Sequence, residues 1–88
     1  MPYIKSNRRQ DLDPLIDTLT TELKYTDNWQ GDLNYTITKL IHSILQGNIN
    51  YSNINNAVGV LECAKLELYR RLAAPYEDTK IIENGDVY

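Results

Sequence analysis

"NINNAVGVLECAKLELYRRLAA", residues 53–74, reads as one long helix with apolar side chains on two sides. At about 100° per residue from Leu61, Ile54 and Leu72 fall at about +20°, Leu68 at about −20° and Ala57 at about −40°. That stripe is a core face. Nearly opposite lie Gly59, Cys63, Leu66 and Ala73, a second face of small and apolar residues. A helix apolar on two faces is covered on two sides. Gly59 and Cys63, four residues apart, leave room there for another helix to come close. The expected cover is a second copy of the chain, with twofold symmetry as the default. The alternative is the chain's own C-terminal tail folding back.

Two shorter patterns precede this helix. Leu12, Leu15, Ile16, Leu19 and Leu23 share one helical face, with Asp11 or Asp13 as a cap and Pro14 in the first turn. Leu33, Ile37, Leu40, Ile41, Ile44 and Leu45 form a second stripe that stops at Gly47. The turn "TDNWQGD" (26–32) separates them, and its Trp29 reads as a lid on the core. Ser52 is a candidate cap for the long helix. Pro75 is expected to discourage its continuation. The remainder, "YEDTKIIENGDVY", allows a short helix ending at Asn84-Gly85 or a hairpin about Asn-Gly, and a short helical turn with an extended tail is preferred. The expected architecture is a single all-α domain over residues 1–88, with helices at about 11–25, 31–46 and 53–74 and a tail at 75–88.

Composition narrows the function. A net charge of −3 gives no general attraction to nucleic acid or to anionic membranes. The charge is uneven: Lys5, Arg8 and Arg9 make a basic head, while Glu77, Asp78, Glu83 and Asp86 outweigh Lys80 in the tail. These ends could pair with each other or remain solvated. One cysteine, Cys63, excludes an internal disulfide and suits a reducing cytoplasm. No signal peptide or membrane span is legible. His42 and Cys63 are the only soft ligands, with no metal spacing, and the four glycines form no phosphate-cradling loop. The chain reads as non-enzymatic, without metal or cofactor.

Candidate binding residues gather near the end of the long helix. Lys65 projects between Leu61, Leu68 and Leu72, where an unpaired ammonium costs several kcal/mol, so it must reach solvent or an anion. Glu62 offers a nearby partner. Arg70 and Arg71 suit the negative end of a helix dipole and have Glu67 within reach, yet they are also good phosphate ligands. Tyr69 and Tyr76 flank them with faces for stacking. Seven tyrosines and no phenylalanine fit half-wet surfaces better than a dry core.

The stretches "GDLNYTITKLI" and "INNAVGVLECAKLELYRRLAAPYEDTKIIENGDVY" resemble a short family found in phages and prokaryotic genomes, which brings no assigned activity. The helix end with Arg71 and Pro75 is also similar to phage sponges that sequester cyclic nucleotides and blunt the CBASS defence. That second likeness implies an oligomer in a prokaryotic cytoplasm that binds phosphates and stacks bases between subunits. Lys65, Tyr69, Arg70, Arg71 and Tyr76 are then the ligand-binding candidates, and Gly59, Cys63, Leu66 and Ala73 the oligomer interface. The rival expectation is an assembly protein that docks a protein partner without a small-molecule ligand.

Overall fold

A computed structural model describes residues 1–88. The all-α class expected from the periodicity is what the chain adopts. Its helices are α1 (Ser6–Lys24), α2 (Trp29–Leu45), α3 (Tyr51–Leu68) and α4 (Ala74–Asn84), with a π-helical turn at Tyr69–Ala73 between the last two. The residues form two compact units, Pro2–Ile54 and Asn55–Tyr88.

In the first unit α1 and α2 meet around Leu23, Trp29 and Leu33, near the turn that joins them. α1 begins at Ser6, earlier than an Asp11 or Asp13 cap would place it. The polar opening turn carries no apolar periodicity, and it is held by side chains instead. Arg9 Nε donates to the Ile4 carbonyl at 2.8 Å, and Arg8 pairs with Asp11 at 3.4 Å. Pro14 therefore lies inside the helix rather than in its first turn. Lacking an N–H, it leaves the Gln10 carbonyl without its i+4 donor.

The link to α2 is organised by Asp32. The Thr26 hydroxyl donates to Asp32 Oδ2 at 2.8 Å, and the Asp32 amide donates to the Asn28 carbonyl at 3.1 Å. A carboxylate in the first turn of α2 also favours the positive end of that helix. Trp29 opens α2 and lines a shallow hollow of about 330 Å³ with Leu23 and Leu33, half-exposed rather than closed over a core. α2 ends at Leu45, and Gly47 takes φ +86°, a conformation that L side chains resist.

Asn50, not Ser52, caps α3, because its Oδ1 accepts the Asn53 amide at 2.9 Å. The chain does not leave the helix at Pro75. α3, the π turn and α4 follow one another without a break from Tyr51 to Asn84, about 50 Å of helix at the usual rise. Proline removes one backbone donor, and its ring presses on the carbonyl four residues before it. The wider turn ahead of Pro75 makes room for that ring. Ala74 N–H bonds the Tyr69 carbonyl, five residues back instead of four. The tail, for which the sequence favours a short helical turn and an extended end, is thus mostly α4, a helix that ends at Asn84-Gly85 as the alternative had it. It ends on Gly85 (φ +87°), whose amide bonds the Ile81 carbonyl at 2.8 Å. Only the last few residues are irregular, with the Tyr88 amide turned onto Asp86 at 3.0 Å.

No residue in the chain is buried. Leu12, Leu23, Ile41 and Leu45 are half-covered, and most other large apolar side chains are exposed. The glycines test the backbone account. Gly47→Ala is expected to destabilise by about 1 kcal/mol through its positive φ. Gly59→Ala, mid-helix with open space around a Cβ, is expected to stabilise by about 1 kcal/mol. Chemical denaturation of the two variants checks both signs.

Candidate functional site

The π turn lies among the candidate ligand residues. One extra residue in a helical turn sets everything after it back by about 100° compared with an uninterrupted α-helix. Consecutive residues diverge on any helix, and the π turn also carries Tyr76 away from Lys65 and Tyr69, so Lys65, Tyr69, Arg70, Arg71 and Tyr76 fan around the helix and form no common pocket within one chain.

Each has its own surroundings. Lys65 Nζ lies 2.9 Å from Glu62, with 65% of its side chain exposed. Arg70 reaches Glu67 at 2.9 Å, and the more covered Glu67 side chain anchors that pair. Tyr76 lies beneath Lys80, whose ammonium sits 5.5 Å from the ring centroid and also pairs with Glu83 at 2.9 Å. Exposed pairs of this kind contribute only a few tenths to 1 kcal/mol each. Arg71 and Asp78 take part in none of the ion pairs.

Tyr69 makes a contact that spans the π turn. Its hydroxyl donates to Glu77 Oε1 at 2.8 Å, eight residues along the helix. On an uninterrupted α-helix these positions diverge by about 80°; across the π turn they come within about 20°. The hydrogen bond to Glu77, with the charge of that carboxylate, raises the Tyr69 pKa above the usual phenol value. Sequence reading missed Glu77 and Asp78 as members of this neighbourhood, since a spacing of eight gives no signal unless the π turn is known.

The second apolar face is re-registered too. Gly59, Cys63 and Leu66 lie before the turn and keep their common side, with Cys63 exposed. Ala73 is carried off that side by roughly 80°, and Ala74 takes its place. Beyond it, Asp78 and Ile82 continue the line, and Ile82 is 86% exposed.

The family model described as a domain of unknown function, DUF6899, matches residues 1–87. The chain belongs to the DUF6899 family. Membership fits the resemblance to an uncharacterised family and brings no catalytic or binding residues with it. No curated protein and no solved structure matches the chain. No helix is long and apolar enough to cross a membrane.

The Tyr69–Glu77 bond has a measurable signature. The raised pKa means that its stabilisation is present below the ordinary phenol pKa and is lost as pH rises through the folded value. In an alkaline titration followed by ultraviolet absorbance, one tyrosine should ionise later than the rest. Glu77→Gln should remove that late step.

Proposed function

We propose that this is a non-enzymatic interaction protein whose working form is a homo-oligomer. One observation carries the reading: neither of the two units buries a single residue. Leu66, Leu68, Leu72 and Ile82 are each more than half exposed, on different sides of the helix. Large apolar side chains so placed favour association over a solvated monomer.

A second reading, capture of a nucleotide-like anion between subunits, has Arg71 in its favour. It is a cation without an ion partner beside Arg70 at a π turn, and such turns recur at functional sites. The net acidity and the local pairing of Lys65 and Arg70 weigh against it.

Light scattering at micromolar concentration should give at least twice the 10.2 kDa chain mass, and the melting temperature should rise with concentration. A lone monomer would refute the assembly reading. For the anion reading, a panel of cyclic dinucleotides should raise the melting temperature by several degrees, and Arg71→Ala should cancel the rise. No shift with any of them removes that reading.

A further inference from the structure

We infer that two copies pair antiparallel along α3, the π turn and α4, about a twofold axis at Ala74; the inference rests on the assembly reading above. Leu66, Arg70, Ala74, Asp78 and Ile82 form a series spaced by four residues. On an uninterrupted α-helix such a series drifts about 40° per step, about 160° in all. The π turn takes back about 100°, leaving about 60°, so the five side chains stay on one side of the helix.

The series is symmetric in chemistry as well as in spacing. A twofold axis at Ala74 sets Leu66 opposite Ile82 of the second copy and Arg70 opposite its Asp78, each twice. Ala74 faces Ala74, and the absence of larger side chains there lets the helices approach to about 8 Å. Asp78 is free to accept the partner's arginine because it makes no ion pair in its own chain. Arg70 faces it with its guanidinium mostly exposed, 62% of the side chain, while bonded to Glu67. Leu66, 56% exposed, and Ile82, 86% exposed, supply apolar contact on either side of these charges. Parallel pairing would instead set Arg70 against Arg70 and Asp78 against Asp78, which like charges oppose.

Cross-linking tests the seam in a Cys63→Ala background. Ala74→Cys should give a disulfide-linked dimer under mild oxidation, since cysteines on the axis meet the Cα separation of about 4.4–6.8 Å that the bond needs. Leu72→Cys, on the other apolar stripe, should not. Asp78→Arg should weaken association about tenfold or more, and adding Arg70→Asp should restore it. Helicity by circular dichroism shows that each variant remains folded. Cross-linking through Leu72→Cys but not Ala74→Cys overturns the seam and leaves the assembly reading standing. Unchanged association in Asp78→Arg, or no recovery in the double variant, overturns the register. A monomeric mass for the unmutated chain overturns both the seam and the assembly reading.

Discussion

Pro75 has no amide proton to give, and its ring needs space where an α-helix would place a carbonyl. Much of what distinguishes the second half of the chain follows from how the helix meets that constraint. It widens one turn, Tyr69–Ala73, and continues to Asn84. The widening costs some hydrogen bonding: the Ala74 amide goes to the Tyr69 carbonyl, and Pro75 has none to offer Arg70. In exchange the helix gains a fixed rotation of its later residues. That rotation sets Glu77 under the Tyr69 hydroxyl and aligns Asp78 with Arg70.

The same rotation explains which parts of the structure were legible in the sequence. Apolar spacing of three and four residues is a local signal, so the stripes of Leu12–Leu23, Leu33–Leu45 and Ile54–Leu72 each disclosed a helix. The opening of α1 was hidden because residues 6–10 carry no apolar periodicity and are held by Arg8 and Arg9. The continuation through Pro75 into α4 was hidden because a proline rule describes one residue, whereas its outcome depends on whether the preceding turn can widen. The candidate site suffered most. On a straight wheel Lys65, Tyr69 and Tyr76 share a side, and Ala73 shares a face with Gly59, Cys63 and Leu66. One inserted residue carries Tyr76 away from Lys65 and Tyr69 and exchanges Ala73 for Ala74. An error of one residue in a helical turn displaces every side chain beyond it, so site geometry is more fragile to read than fold class.

The absence of a buried residue gives the second unit its physical character. A single helix can satisfy its own backbone, but it cannot cover its own apolar side chains. Ion pairs between exposed neighbours, such as Lys65 with Glu62 and Arg70 with Glu67, add little to this. They place charge on the helix surface and leave its apolar positions available. A seam with leucine and isoleucine toward its ends and charges near its middle divides the labour: burial supplies affinity, while the charges set direction and register.

That symmetry also bears on the anion reading. In an antiparallel pair the twofold axis runs perpendicular to the plane of the two helices, so it carries each side of that plane onto itself. Arg71 lies about 80° around the helix from Arg70, at the edge of the seam. Both copies of Arg71 therefore lie along the same edge, roughly 9 Å apart along the helix direction. A single chain offers an anion one free arginine on an acidic protein; the pair offers two on one side. Any anion held there would depend on assembly, and anion binding and association would strengthen each other by linkage. The arginines that began as a helix ending thus have a route to a binding role only through the second copy.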